Sequence, residues 1–398
     1  MSGALSASGL RRLHDAMSAR VAAGRLPGLV TLVARGDEVH VDTIGSHDFD
    51  GATPMRRDTL FRIGSITKPM LAAVTMMLVE EGTLALGEPV DRLLPELADR
   101  RVLSRIDGPL DDTVPAHRPI IVEDLLTNRM GFGIITEPEF DPPYPVVAAA
   151  RELRLVLAEP DPRTPYPPDE WIKLFGSLPL LDQPGERWRY NAGALVLGVL
   201  LARAAGAPLD DVLRTRLFDP LGMADTGFHA PLADAVRIPP HYLTDFATGE
   251  LVARTETPIE EWTRPPVFPS GAGGLLSTVD DVLLFARMLM NGGAHGRRRL
   301  LSPESVAAMT TNQLTAAQVA SAGILLEPKG WGYGMAVAPE PDAVSAVPGR
   351  YGWDGGYGTV WCNDPYRDVT ALAFGQTSDL LFDGGRDEFL TLAVQAAE

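Results

Sequence analysis

Cysteine occurs once in the 398 residues, at Cys362. A single thiol excludes an internal disulfide framework and a zinc site built from several thiolates. Lysine is nearly as scarce. Only Lys68, Lys173 and Lys329 are present, so arginine supplies the other 32 of the 35 basic residues. Positive charge is also outweighed: 52 acidic residues leave a formal net charge of −17. Such a surface repels phosphate, which argues against nucleic acid and anionic membranes as partners. Long apolar runs are missing too. The longest strongly apolar uncharged stretch, Tyr190 to Ala202, is too short to cross a bilayer. Leu10-Arg11-Arg12 is not followed by a continuous apolar segment, so the chain reads as lacking a secretory signal and as soluble and cytoplasmic. Finally, the sequence holds no G-x-S-x-G, no Walker A glycine run before a lysine, no G-x-G-x-x-G and no H-E-x-x-H. An α/β-hydrolase elbow and P-loop nucleotide hydrolysis are thereby excluded.

What is present is an ordinary globular composition, 45% hydrophobic and 22% charged. At this length it suggests one large domain or two. No period of roughly 20–50 residues repeats, so the chain is not a solenoid or propeller. Ser8 to Gly24 carries an apolar stripe of Leu10, Leu13, Met17 and Val21 and predicts a helix, with Ser8 as its cap. Leu29–Ala34 and Val39–Ile44 predict a β-hairpin around Arg35-Gly36-Asp37, its second strand alternating towards one wet face. Ser65 to Glu81 predicts a helix that is apolar nearly all round and therefore buried. Further helices are expected from Ile121, near Val146–Ala158, over Ala192–Ala205 and Pro208–Leu217, over Ser277–Met290 with Ser277 as cap, and over Asp387–Ala397. Late strands are expected at Gly332–Ala338, Thr359–Asn363 and Val369–Gly375. Strands, a long helical middle and strands again suggest an antiparallel sheet built from both chain ends. The Pro-rich segment 137–168 reads as an irregular excursion and a candidate lid, with Glu137, Glu139 and Asp141 simply solvated.

Seven histidines lie scattered, and His47-Asp48-Phe49-Asp50 reads as a polar surface turn rather than a metal site. No cofactor and no metal are expected. The strongest chemical signal is Ser65-Ile66-Thr67-Lys68. Residues i and i+3 of a helix share a face. A serine hydroxyl is a poor nucleophile until a neighbouring base takes its proton. A buried lysine can be that base because desolvation lowers its pKa, whereas arginine does not deprotonate. A lysine kept in a chain of arginines fits that task. A helix start favours negative charge developing near Ser65, and Gly64 permits close approach.

The stretch Phe61-Arg62-Ile63-Gly64-Ser65-Ile66-Thr67-Lys68 resembles the nucleophile region of the serine β-lactamase-like superfamily, with class C β-lactamases and family VIII carboxylesterases as the closest branches. Pro184-Gly185-Glu186-Arg187-Trp188-Arg189-Tyr190, Phe218-Asp219-Pro220-Leu221-Gly222-Met223, Gly271 to Thr278 and Gly352-Trp353-Asp354-Gly355-Gly356 resemble the same family. The resemblance covers nearly the whole chain. It implies an α/β (α+β) fold, with an antiparallel sheet flanked by helices in a domain of residues 1–62 and 268–398. A mainly helical domain of residues 63–267 is inserted into it, and the site lies in the cleft between.

The family's Tyr-x-Asn box falls on Tyr190-Asn191-Ala192, so the resemblance assigns Tyr190 an acid or base role and leaves its amide position vacant. The Lys-Thr-Gly box falls on Trp353-Asp354-Gly355, which lacks the cation. Trp353 is equally a plain aromatic at the sheet edge. By analogy the oxyanion hole is formed by the N–H groups of Ser65 and Gly356, and Gly355-Gly356 suits a strand that approaches substrate. Met130-Gly131-Phe132-Gly133 is expected near the cleft, while Trp331, Tyr333 and Tyr357 suit pocket or core alike. The first reading is a serine hydrolase acting through an acyl-enzyme on small esters, with catalytic Ser65, Lys68 and Tyr190 and with Trp353, Gly355 and Gly356 at the substrate. Acyl transfer to an alcohol or amine, and D-amino-acid peptidase or β-lactamase activity, are alternatives. A non-catalytic sensor domain is disfavoured because all three catalytic residues are kept. The partner is a small-molecule ester, and a homo-oligomer stays open.

Overall fold

The computed structural model describes residues 4–136, 142–157, 162–245, 247–326 and 328–398. Glu137, Glu139 and Asp141 therefore lie outside the described residues, as does the expected helix end at Ala158. Seven strands form the main sheet: β1 (Gly28–Arg35), β2 (Glu38–Gly45), β3 (Gly330–Trp331), β4 (Ala336–Val337), β5 (Tyr351–Gly355), β6 (Thr359–Asp364) and β7 (Val369–Gly375). Their order is β3-β4-β5-β6-β7-β1-β2, and every pair is antiparallel. The sheet thus joins the two chain ends: Leu32 of β1 pairs with Val41 of β2 on one side and with Leu372 of β7 on the other.

The helices that bear on the site and the two cores are α1 (Ala7–Ala22), α2 (Thr67–Glu80), α3 (Pro145–Glu152), α4 (Ala192–Ala205), α5 (Val279–Met290) and α6 (Gly385–Gln395). Because strand side chains alternate, β1 serves two cores. Leu29 and Val33 pack with Leu13 and Met17 of α1 and Phe389 and Leu390 of α6. Val30, Leu32 and Ala34 join the larger core that contains α2, α4 and α5. The α2 helix is buried from Thr67 through Leu78, as its sequence without a polar face requires. Fully burying one such aliphatic side chain is worth about 1.5–3 kcal/mol, so α2 is a rigid platform for whatever its first turn carries.

Local expectations needed correction. Ser6, not Ser8, caps α1, accepting from the Gly9 N–H at 3.2 Å. Thr278, not Ser277, caps α5, because Ser277 is already paired as a strand with Phe61. Of the expected strand Gly332–Ala338 only Ala336–Val337, β4, is extended and paired; β3 precedes the range, and the turn between them passes through Gly334 with φ +77°. The helix expected to run from Val146 stops at Glu152, where Arg154 and Val156 both adopt positive φ. His47 is buried rather than part of a surface turn, with Nε2 3.4 Å from Thr59 Oγ1. The edge strand β2 has no cleanly wet face, since only Ile44 is fully buried. No single helix among the described residues is long and apolar enough to cross a membrane.

Candidate active site

The Gly64–Ile66 segment forms a 3₁₀ turn, and α2 begins at Thr67, two residues later than expected. Gly64 has φ +52°, and a Cβ there would sit 3.1 Å from Gly355 Cα and from Gly356 N. A Cβ on Gly355 would lie 2.1 Å from the Ile63 carbonyl oxygen. The two glycines let the serine turn and the end of β5 lie backbone against backbone. Thr359 Oγ1 ties them further by donating to the Ile63 carbonyl at 3.1 Å. Ser65 is the one residue of the Phe61–Met70 stretch that is not fully buried.

Lys68 lies one turn further along the helix, 2% exposed. Its Nζ is 2.9 Å from Ser65 Oγ and donates to the Ala272 carbonyl at 2.5 Å. Burial holds its pKa well below the ordinary lysine value. An amine in that state accepts a proton from an adjacent hydroxyl.

Tyr190 completes the group. Its ring lies 4.5 Å from Lys68 Nζ. The ring sits among three tryptophans, with centroids 5.4 Å from Trp188, 6.1 Å from Trp331 and 5.6 Å from Trp353. Burial raises the phenol's pKa, against hydrogen bonds with Ser65 and Trp353 that lower it. Burial thus works against both a tyrosinate at Tyr190 and an ammonium at Lys68, the pair that the motif also allows.

Trp353 Nε1–H donates to Tyr190 Oη at 2.6 Å. An indole can only donate, so the Tyr190 proton stays available for another acceptor. Gly356 is exposed, and a Cβ there would meet nothing within 4 Å. Its side-chain direction opens into free space beside Ser65. Of the remaining candidates, Trp331 is core, its Nε1 donating to the Leu126 carbonyl at 3.1 Å. Tyr333 is core as well, its hydroxyl 2.8 Å from Glu123 Oε1. Tyr357 packs edge-on against His241.

An apolar cavity of about 320 Å³ lies beside the tyrosine's main chain. Phe132, Ile134, Val146, Val147, Ala150 and Leu157 are among its walls. Ile134 N–H donates to the Tyr190 carbonyl at 2.9 Å, and Asn191 Nδ2 donates to the Leu157 carbonyl at 2.7 Å. Asn191, the residue next to the vacant amide position, is thus turned away to hold the cavity wall. Ala192 is 1% exposed.

The Beta-lactamase family model matches residues 13–396. The chain belongs to that family. Within it, the chain is 39% identical over 361 residues to Protein Rv1367c of Mycobacterium tuberculosis, covering 88% of this chain and 86% of that protein. It is 30% identical over 379 residues to Esterase EstB of Burkholderia gladioli, covering 89% and 87%. Among solved structures it superimposes on EstCE1, a hydrolase with promiscuous acyltransferase activity, with a TM-score of 0.78 at 25% identity over 98% of each chain. These relatives of the Beta-lactamase family support an acyl-enzyme hydrolase or acyltransferase activity. The sequence had shown neither the Trp188–Trp331–Trp353 surround of Tyr190 nor the direct Trp353 bond to it. Trp331 and Trp353 lie more than a hundred positions from Tyr190, and no local pattern in the sequence marks them.

Proposed function

We propose that the protein is a serine esterase that forms an acyl-enzyme on carboxylic esters bearing a modest apolar group. The observation that carries this reading is the 2.9 Å approach of a buried, deprotonation-prone Lys68 Nζ to Ser65 Oγ. Lys68 takes the Ser65 proton as Oγ attacks the ester carbonyl carbon. The oxyanion is held by the Ser65 and Gly356 N–H groups, donors of a kind worth about 3–4 kcal/mol in the transition state. Tyr190 gives its proton to the departing alkoxide and recovers one from the Lys68 ammonium. Water then attacks the acyl-enzyme, delivers a proton to Lys68, and Ser65 leaves reprotonated. The apolar part of the ester occupies the cavity walled by Phe132, Val147 and Ala150. Trp353 in place of a cation, and Ala192 in place of an amide, favour neutral esters over β-lactams.

The likeness to EstCE1 favours acyl transfer as a second outcome of the same intermediate, whenever an alcohol outcompetes water. The test is intact mass after exposure to p-nitrophenyl butyrate, with and without an added alcohol. A butyryl adduct on the native chain that Ser65→Ala lacks is expected. An adduct that persists in Ser65→Ala would overturn the assignment.

A further inference from the structure

Arg151 is the one charged side chain on the described walls of the apolar cavity of about 320 Å³. It comes from the last turn of α3, the helix that also supplies Val146, Val147 and Ala150 to those walls. Helix residues four apart share a face, so Arg151 stands over Val147 as Ala150 stands over Val146. Arg151 both lines the cavity and is exposed. An arginine so placed lays its methylene stem along apolar surface and keeps its head in water. The guanidinium therefore stands at the cavity mouth.

That guanidinium is uncommitted. Other arginines of the helical region are spent on carboxylates: Arg118 on Asp124, Arg189 on Asp182, Arg203 on Glu96 and Asp169. Arg151 makes no ion pair and no hydrogen bond among the described residues. The helix dipole accounts for a cation in the last turn of α3, but not for its lying on a cavity wall. Another wall, Ile134, is fastened to the catalytic group, its N–H donating to the Tyr190 carbonyl at 2.9 Å. The cavity thus joins the tyrosine's main chain to a free cation across apolar side chains. At roughly 30 Å³ for each water-sized group, it takes about ten such groups, enough for a chain of several methylenes.

We propose that Arg151 is a specificity determinant and that the preferred acyl group carries a second carboxylate at its far end. The substrate class is then a monoester of a straight-chain dicarboxylic acid, its methylenes against the apolar walls and its distal carboxylate paired with Arg151. A guanidinium fork matches a carboxylate with two parallel hydrogen bonds. The inference rests on the placement of the acyl group in this cavity given above. It is compatible with the missing cation at Trp353, because the methylenes separate the distal carboxylate from the reacting carbonyl and Trp353 is not a wall of the cavity.

The test measures kcat/KM at neutral pH for p-nitrophenyl esters of adipic, pimelic and suberic acids, each with its distal carboxylate free or capped as a methyl ester. The free-to-capped ratio cancels any general change in the catalytic group. A net charge of −17 works against an anionic ester, so a ratio above one requires a local cation. For the best-fitting length the native ratio should be about five- to thirtyfold, between an exposed ion pair and a charge-assisted hydrogen bond. It should shrink with added salt. Arg151→Met keeps the apolar stem and should bring the ratio to one or below. Arg151→Lys should keep part of it, and Arg151→Glu should invert it. The inference is overturned if the native ratio stays below about twofold at every length, or if Arg151→Met leaves the native ratio unchanged. Two further variants separate the levels. Release of p-nitrophenol that survives in Ser65→Ala removes the acyl-enzyme reading, and a chain-length preference among capped esters that Ala150→Phe does not alter moves the acyl group out of the cavity. Ser65-dependent turnover with a native ratio of one removes only the role of Arg151.

Discussion

Trp353 Nε1 donates to Tyr190 Oη across 2.6 Å, joining the strand next to the oxyanion site to the residue proposed as proton donor. The bond orients the phenol, since Tyr190 can accept from Trp353 and still donate to Ser65 or to a leaving group. It also offsets part of the burial that raises the phenol's pKa. A position that the family comparison frames as a missing substrate cation is here part of the machinery that holds Tyr190.

Replacing that donor is the most direct check. Trp353→Phe keeps an aromatic ring against Trp331, 4.8 Å away in the native protein, and removes only the N–H. A hydrogen bond of about 1–2 kcal/mol that matters in proton transfer corresponds to about a five- to thirtyfold fall in kcat. KM should change little. Steady-state kinetics on p-nitrophenyl butyrate decide it, and an unchanged kcat would reduce Trp353 to a wall.

The role proposed for Lys68 sets the expected pH dependence. Its pKa is held well below the ordinary lysine value by burial, and in the proposed mechanism the active form is the neutral amine. Activity should therefore be full above the depressed pKa and be lost as pH falls through it, with no need for strongly alkaline conditions. Lys68→Arg should be nearly as inactive as Lys68→Ala, because a guanidinium keeps the charge without the basicity. A kcat/KM profile from acid to mildly alkaline pH tests both statements. An Arg variant retaining a tenth of kcat would mark Lys68 as electrostatic rather than as a proton carrier.

Filling the apolar cavity tests where the substrate lies. Ala150 faces the cavity from α3, and Ala150→Phe would occupy much of the space of about 320 Å³. Turnover of p-nitrophenyl acetate should stay within about twofold. The ratio of octanoate to acetate kcat/KM should drop by about tenfold or more, each lost methylene contact being worth about 0.8 kcal/mol. A uniform loss across chain lengths would place the acyl group elsewhere.

The long elements were readable from their continuous apolar runs: β1 is buried on both faces and α2 nearly all round. Ser65 and Lys68 were readable because their geometry is local, three residues along one helix face. The failures were at ends and in tertiary geometry. Ser277 looked like a cap, but strand pairing with Phe61 had already used it. Tyr190 was found through the resemblance, yet its three tryptophan neighbours were not, since no local rule links Trp188 to Trp353. The hydrogen bond between His241 and Ser378 was invisible for the same reason, its members lying 137 positions apart.

The proposed preference for esters over β-lactams rests on two replacements. Ala192 is buried and offers no amide, and the neighbouring Asn191 side chain donates to Leu157 instead of facing the serine. Trp353 spends its one donor on Tyr190, leaving no cation to meet a carboxylate. The missing cation costs about 1.5–3 kcal/mol, or roughly 10- to 150-fold in affinity, and the missing neutral amide about 0.5–1.5 kcal/mol more. A p-nitrophenyl ester has no carboxylate to lose and carries an activated leaving group. At one pH, kcat/KM on p-nitrophenyl butyrate should therefore exceed that on nitrocefin by at least two orders of magnitude, and a nitrocefin value equal to the ester value would restore a β-lactamase assignment. The Trp353→Lys variant sharpens the comparison. It supplies the cation but takes the donor from Tyr190, so ester turnover should fall as it does in Trp353→Phe. The nitrocefin-to-ester ratio should nevertheless rise, because only the anionic substrate gains from the new charge. A ratio that stays at the native value would mean that the missing cation is not what excludes β-lactams, and would leave the vacant amide position at Ala192 as the controlling difference.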